Sequence, residues 1–199
     1  MTRIIAGELR GRTIKVPEAV TRPTTSRVRE AVMSSVQHAA AGFDDLRVLD
    51  LYAGSGAFGI EAMSRGANEV VFVEKDRKAV EVIQGNVASL GIRSATVVAQ
   101  DVRGFLASPS SSRFDIVFSD APYDVDDSVI ADQLRTLVAN QFLNDGAVVL
   151  VERRFGAITQ WPSEFSDLKS RRYGDTLVEI ARYDRDSQST DTHSESESA

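Results

Sequence analysis

The stretch Val48-Leu49-Asp50-Leu51-Tyr52-Ala53-Gly54-Ser55-Gly56 decides the fold of this chain. A short apolar run leads into a glycine-rich turn, and the pattern Gly54-x-Gly56-x-x-Gly59 continues into residues with helical spacing. Glu74 ends the next apolar run. A strand, a glycine turn, a helix, a second strand and an acid in this order predict a nucleotide pocket in a parallel sheet, where the acid binds ribose hydroxyls.

Short apolar runs and helical stretches alternate along the rest of the chain. A helix is predicted near 25–40, and the further predicted elements are 47–52, 57–65, 69–74, 77–90, 95–99, 102–107, 114–119, 127–140 and 147–152. This alternation predicts an α/β fold, in which helices cover both faces of a parallel sheet. Leu168–Tyr173 and Thr176–Tyr183 flank Gly174-Asp175, which is a hairpin signal, so the sheet is predicted to end in an antiparallel ribbon.

The two ends of the chain differ in charge. Residues 1–30 carry seven Lys or Arg against three Asp or Glu, a balance of +4, and residues 1–20 are predicted to form a basic β-hairpin extension. Residues 184–199 carry one Arg against five acids, a balance of −4, and are rich in Ser and Thr. This composition predicts a disordered tail. The basic front end indicates a nucleic-acid partner despite the net charge of −6.

The composition excludes several classes of protein. The chain has no cysteine, and His38 and His193 are its two histidines, so a thiolate or histidine-rich metal site is excluded and no metal is expected. No apolar run approaches the roughly 20 residues that span a bilayer, and the amino terminus lacks a signal-peptide core. We therefore expect a cytoplasmic protein that does not bind membranes, with 21–183 as its main domain.

Asp50 favours one of the cofactors that the glycine turn could bind. A carboxylate just before the turn would repel the pyrophosphate of a dinucleotide, but it can meet the ammonium or sulfonium end of S-adenosylmethionine. At the third strand end, Asp101 suits the adenine amino group and Val102 can pack on the ring, although Asp101 can also be a helix N-cap. The predicted cofactor residues are Asp50, Tyr52, Gly54, Ser55, Gly56, Glu74, Lys75, Asp101, Val102 and Asp120.

The loop Ser119-Asp120-Ala121-Pro122-Tyr123 follows the fourth predicted strand, at the edge where ligands bind in open α/β sheets. It resembles the signature of the class I amino methyltransferases, in which Asp, Asn or Ser precedes Pro-Pro and an aromatic residue. The resemblance implies a Rossmann-like fold with a mostly parallel seven-stranded sheet, and it makes Asp120, Ala121, Pro122 and Tyr123 the catalytic residues. Asp120 and the next carbonyl would accept hydrogen bonds from the target amine, and Tyr123 would stack on the base. Ala121 departs from the usual proline, so we expect a looser loop and slower turnover.

The front end carries a more specific resemblance. The segments Arg3-Ile4-Ile5-Ala6-Gly7, Leu9-Arg10-Gly11-Arg12, Thr21-Arg22-Pro23-Thr24 and Arg27-Val28-Arg29-Glu30 are similar to the opening of the bacterial 16S rRNA guanine-N2 methyltransferases that modify guanine 966. The resemblance implies action on 16S rRNA or the small ribosomal subunit, with 21–183 as the methyltransferase domain. We expect the protein to be a monomer. The predicted RNA-binding residues are Arg3, Arg10, Arg12, Lys15, Arg22 and Arg27.

Three other functions stay open at this stage. The catalytic loop also serves methylation of adenine N6 and of other amino groups. The glycine pattern alone is compatible with an NAD-dependent oxidoreductase, although no Tyr-x-x-x-Lys pair accompanies it. Ala121 keeps open a non-catalytic RNA-binding assembly factor. Arg153 and Arg154, after the fifth predicted strand, are interpreted as a salt-bridged surface pair.

Overall fold

The structure is a computed structural model, and it describes residues 1–17 and 26–185. The strands are β1 (Thr2–Arg3), β2 (Thr13–Ile14), β3 (Arg47–Leu51), β4 (Glu69–Glu74), β5 (Ala95–Ala99), β6 (Phe114–Asp120), β7 (Leu143–Arg154), β8 (Phe165–Tyr173) and β9 (Thr176–Tyr183). The helices are α1 (Ser26–Ala39), α2 (Ala57–Ser64), α3 (Arg77–Leu90), α4 (Val102–Leu106) and α5 (Asp127–Ala139). The predicted tail lies almost wholly outside the described residues, as do Glu18 to Thr25.

Seven of the described strands form one sheet in the order β5-β4-β3-β6-β7-β9-β8. The first five strands in this order run parallel, and β9 and β8 are antiparallel to their neighbours. The predicted α/β fold with an antiparallel C-terminal hairpin is confirmed. Because the parallel strands share one direction, the carboxyl ends of β3, β4, β5 and β6 meet at one edge.

The sheet is covered on both faces, and each strand supplies residues to two cores. Val48 packs with residues of α1, α2 and α3, whereas the next residue, Leu49, packs with α4 and α5. This alternation follows from the two-residue period of a strand. Burying one such side chain contributes about 1.5–3 kcal/mol. The two cores therefore lie on either side of the edge at which β3, β4, β5 and β6 end, and we call it the catalytic edge because the predicted catalytic loop follows β6.

Two predicted strands started too late. β7 begins at Leu143 instead of Ala147, and its pairing with β6 shifts register between Phe114 and Ile116. The polar Asn144-Asp145-Gly146 segment, where Gly146 has a φ of 76°, conceals this start in the sequence. β8 begins at Phe165 instead of Leu168, and a register shift separates Ser166 from Lys169. Such irregularities break the alternation on which strand prediction depends.

The amino-terminal segment is packed against α2. Gly7 has a φ of 79°, and a Cβ there would lie 1.6 Å from the backbone oxygen of Ser64. The backbone N–H groups of Ile5 and Ala6 each donate to the buried Glu61 carboxylate at 3.0 Å. The predicted hairpin is present in short form, since Thr2–Arg3 pairs with Thr13–Ile14. This segment is therefore a fixed part of the structure.

Arg29 has a structural role that its charge in the sequence did not reveal. Its side chain is buried, and it donates hydrogen bonds to the Thr2 hydroxyl at 3.1 Å and to the Arg3 carbonyl at 2.6 Å. Burial lowers the pKa of the guanidinium, and the charge of Glu61 opposes this effect. Arg29 therefore joins α1 to the amino-terminal segment.

None of the helices in the described ranges is long and apolar enough to cross a membrane.

Candidate active site

The turn after β3 lies at the catalytic edge and has an unusual backbone. Tyr52, Gly54 and Gly56 have φ values of 58°, 57° and 76°. Glycine adopts this left-handed region without the strain that a Cβ brings. The Gly54 N–H donates to Glu74 Oε2 at 2.9 Å, and the Ala53 N–H donates to the Val73 carbonyl at 3.1 Å. The turn is thereby fixed to the end of β4.

The glycines of this turn serve two purposes. A Cβ on Gly59 would lie 2.4 Å from the ring of Phe72, so only glycine lets α2 pack this closely on β4. A Cβ on Gly54 would have its nearest neighbour, the Tyr52 carbonyl, at 3.9 Å. The backbone at Gly54 is therefore open on the side where a cofactor would approach, and the turn fits a nucleotide ligand.

Asp50 is almost fully buried, with 1% of its surface exposed. Its Oδ2 accepts a hydrogen bond from the Gly59 N–H at 2.9 Å. Burial raises the pKa of Asp50 well above its usual range; the Gly59 hydrogen bond opposes this effect, and the charges of Asp120 and Glu74 add to it. The carboxylate thus braces the start of α2, a role that the sequence did not predict. Its contact with the ammonium of the cofactor stays a prediction.

Glu74 and Asp101 stand at the ends of adjacent strands, where the sequence predicted them. Glu74 accepts backbone hydrogen bonds on both carboxylate oxygens, from Gly54 and, at 2.8 Å, from Asp76. Each oxygen has a second lone pair, so Glu74 can still accept a ribose hydroxyl. Asp101 is exposed and is the N-cap of α4, since its Oδ1 accepts the Gly104 N–H at 2.8 Å. Val102 beside it is buried, and the predicted Lys75 is exposed.

Asp120 ends β6 at the same edge and is half-buried. Burial raises the pKa of Asp120 to about 7. Ala121 is buried with the residues of α5, whereas Pro122 is exposed and its carbonyl accepts the Val125 N–H at 3.0 Å. Tyr123 is 37% exposed. The four predicted catalytic residues therefore form one turn beside the glycine turn.

Thr176 holds the exposed Tyr123, a contact that the sequence did not predict. The two hydroxyl oxygens are 2.7 Å apart. Thr176 is the first residue of β9, and it pairs with Arg154 of β7. The tip of the C-terminal hairpin is therefore connected to the catalytic turn.

A chain of side-chain hydrogen bonds connects Tyr52 of the glycine turn with Ser119, the residue before the catalytic turn. The Tyr52 hydroxyl donates to Gln133 Oε1 at 3.0 Å, and Gln133 Nε2 donates to the Ser119 hydroxyl at 2.8 Å. Gln133 lies on the buried face of α5 with Ile130 and Leu134. A polar residue on an apolar helical face is the signal that could have identified it.

Arg153 clamps the segment that follows the catalytic turn. It is 3% exposed, and its Nη2 donates to the Val125 carbonyl at 2.7 Å and to Asp127 Oδ1 at 2.9 Å. Asp127 Oδ2 also accepts the Ile158 N–H at 3.1 Å. The interpretation of Arg153 as a surface residue was wrong, because β7 continues to Arg154 and turns Arg153 towards α5. Arg154 itself is exposed.

The predicted RNA-binding residues are exposed wherever the structure describes them, namely at Arg3, Arg10, Arg12, Lys15 and Arg27. Arg22 lies outside the described residues. Arg12 also donates to the Ser89 carbonyl at 2.9 Å, which attaches the amino-terminal segment to α3.

Asn86 links this basic segment to the glycine turn after β3, which we also call the cofactor turn. Its side chain bonds both the N–H and the carbonyl of Lys15, at 2.8 and 2.9 Å, and it donates to the Ser55 carbonyl at 3.1 Å. In the described parts of the chain, no three acidic or histidine side chains are grouped so that they could hold a metal ion.

A family model described as conserved hypothetical protein 95 matches residues 2–182. The chain belongs to this family. It is 37% identical over 151 residues to ribosomal RNA small subunit methyltransferase D of Escherichia coli, covering 75% of this chain and 73% of that protein. The protein of the same name from Haemophilus influenzae is 33% identical over 177 residues, covering 86% and 89%.

Solved structures agree with this membership. A protein of Escherichia coli, described as a candidate methyltransferase, superposes with a TM-score of 0.81 at 33% identity, covering 92% of this chain and 98% of that one. A hypothetical protein of Thermus thermophilus gives 0.75 at 33% identity, covering 90% and 98%. The chain is therefore a class I methyltransferase that uses S-adenosylmethionine. The open glycine turn and the acids Glu74 and Asp101 at the strand ends fit this methyl donor.

Proposed function

We propose that the protein transfers a methyl group from S-adenosylmethionine to the exocyclic N2 of a guanine in 16S rRNA, of the guanine 966 type. The observation that carries the proposal is the placement of the Asp120–Tyr123 turn beside the open backbone of Gly54. The names of its relatives, which specify the RNA of the small ribosomal subunit, and the resemblance of its front end support this substrate.

The chemistry of an exocyclic amine explains the need for Asp120. The nitrogen lone pair is delocalised into the ring, so the amine is a poor nucleophile. The Asp120 carboxylate and the carbonyl that follows it would accept the amine hydrogens and draw the nitrogen towards tetrahedral geometry. When bound, S-adenosylmethionine supplies an electrophilic methyl group on a positively charged sulfur. Positioning then does most of the catalytic work.

Tyr123 is suited to hold the flipped base. Its ring is partly exposed, and the hydroxyl contact with Thr176 fixes its orientation. Enzymes that modify a base extrude it from its helix and stack it on aromatic side chains. Stacking on Tyr123 would therefore offset part of the free energy that is lost when the target guanine is unstacked.

The exposed cations of the front end would bind the RNA backbone. Arg3, Arg10, Arg12, Lys15 and Arg27 can neutralise phosphates, which supplies affinity without sequence selection. Arg22 is proposed on the sequence alone. We further propose that the protein acts as a monomer in the cytoplasm, on an assembled or assembling small subunit.

The direct test uses purified protein, a labelled methyl donor, and either naked 16S rRNA or 30S particles that lack the modification. We expect label on guanine N2. Asp120→Ala removes the acceptor and should abolish transfer while the protein still binds the cofactor, whereas Asp124→Ala at the exposed loop neighbour should leave both unchanged. Label on adenine N6 would replace the guanine proposal, and label on no RNA would refute methyl transfer to RNA and favour an assembly factor.

A further inference from the structure

A groove of about 500 Å³ runs between α1 and the edge strand β8, outside the predicted RNA-binding segment. Its polar lining comes from both elements. The residues that line it include Ser34, Ser35 and His38 of α1, and Lys169, Arg171 and Tyr173 of β8. Neither the catalytic turn nor the cofactor turn contributes to it. The groove is therefore separate from the catalytic turn and from the glycine turn.

The wall formed by β8 is positively charged. Lys169 pairs with Ile180 and Arg171 pairs with Val178, so both cations lie on the α1 side of the ribbon, and both are exposed. The acid of β8, Asp167, lies within the register shift between Ser166 and Lys169, and its Oδ2 is 3.9 Å from Arg182 Nε. On α1, the exposed Arg27 balances the one acid of the helix, Glu30, and neither of them lines the groove. Lys169 and Arg171 therefore give the groove a positive balance.

The groove opens at the catalytic edge. Tyr173 ends β8 and pairs with Thr176, the residue that holds Tyr123. On the opposite wall, Arg27 precedes Ser34 and His38 at helical spacing, so these residues share one face of α1. A polymer that left the catalytic turn along this face would therefore meet Arg27, Arg171 and Lys169.

The lining has the chemistry that RNA backbones require. Hydroxyls and cations make most protein contacts with phosphates and sugars. The Arg171 guanidinium lies 5.4 Å from the centre of the Tyr173 ring, which keeps this cation beside an aromatic face at the mouth of the groove. We propose that the groove binds the sugar–phosphate backbone of the RNA strand next to the target nucleotide. This proposal rests on the proposed function and adds a second RNA contact on the opposite side of the catalytic turn from Lys15.

The test compares two pairs of substitutions in the full chain. Lys169→Gln with Arg171→Gln removes the two groove cations. Lys78→Gln with Arg93→Gln removes two exposed cations near the opposite edge of the sheet and is the control. Binding of a naked 16S rRNA fragment that contains the target is measured at several salt concentrations, beside cofactor affinity and methyl transfer.

We expect the groove variant to bind RNA at least about fivefold more weakly. The slope of its log affinity against log salt concentration should decrease by about two, one for each phosphate contact that is lost. KM for RNA should rise by a similar factor, while cofactor affinity and kcat at saturating RNA stay within about twofold. A variant that carries only Arg171→Lys should keep most of the RNA affinity of the unsubstituted protein, because Lys also neutralises a phosphate. The control should behave as the unsubstituted protein.

Equal weakening in both variants, or unchanged RNA binding in the groove variant, would overturn the proposal. A defect seen with 30S particles but not with naked RNA would also overturn it, because the groove would then bind a ribosomal protein. Failure of the proposed function is distinguishable, since the unsubstituted protein would then methylate no RNA whatever the groove binds.

Discussion

The cofactor half and the substrate half of the catalytic edge are built differently. At the ends of β3 and β4, the backbone itself forms the site, through glycines that open the turn and through N–H groups fixed by Glu74. At the ends of β6 and β7, side chains from distant elements hold the catalytic turn, namely Gln133, Arg153 and Thr176. The first half depends on local conformation, and the second half depends on tertiary contacts.

The largest effect is expected in the cofactor half, at Gly59. Gly59→Ala would place a Cβ 2.4 Å from Phe72 and 2.7 Å from Val70. Such overpacking costs about 1–3 kcal/mol, which thermal or urea unfolding would measure. The matched control is Gly85→Ala in α3, where a Cβ meets no atom within 4 Å and the helix should gain up to about 1 kcal/mol. Equal stability of the two variants would contradict the backbone account of this half.

A smaller effect with a different readout is expected from the clamp of the substrate half. Asp127→Ala leaves the buried Arg153 without its carboxylate partner and frees the Ile158 N–H. Because the Asp127 side chain is 42% exposed, we expect a loss of only about 1–2 kcal/mol in stability. KM for RNA should rise, with cofactor affinity unchanged. Asp126→Ala is the control, because the Asp126 side chain makes no capping hydrogen bond. A change in cofactor affinity as large as the change in KM would erase the distinction between the halves.

Gln133 tests whether the two halves are coupled. Gln133→Leu keeps a similar volume but removes both hydrogen bonds that connect Tyr52 to Ser119. We expect a loss of about 1–2 kcal/mol, because the Ser119 hydroxyl stays buried. Calorimetry and transfer assays should show that cofactor affinity and turnover both decrease. A defect confined to one of them would indicate that the halves act independently.

The last of these predictions concerns the dependence of stability and transfer on pH. The pKa of Asp120 is raised from 3.8 to about 7, so the folded protein binds more protons than the unfolded chain between these values. Asp120 therefore lowers stability as pH rises from about 4 to 7, and the pKa of Asp50 acts in the same direction. Transfer should show the opposite trend, because the carboxylate form accepts the amine hydrogens. Melting temperatures of the native protein and of Asp120→Asn, measured across this range, should converge at low pH.

The same contrast explains what the sequence could predict. The alternation of strands and helices, the glycine turn, Glu74 and the Asp101 cap follow from local patterns, and the structure places all of them as expected. Asp50 was identified as a site residue, but its hydrogen bond to Gly59 was not, because it depends on how α2 packs. Arg153 and Thr176 act across strands that are far apart in the chain. No local spacing reports such contacts.

The most direct measurement of the central claim is the position of the methyl group in 16S rRNA from cells with and without this protein. Mass spectrometry of RNA fragments should find one N2-methylguanine that is lost with the protein, restored by the native chain and not restored by Asp120→Ala. An unchanged set of guanine modifications, or the loss of a methyl group from adenine N6 instead, would contradict the account.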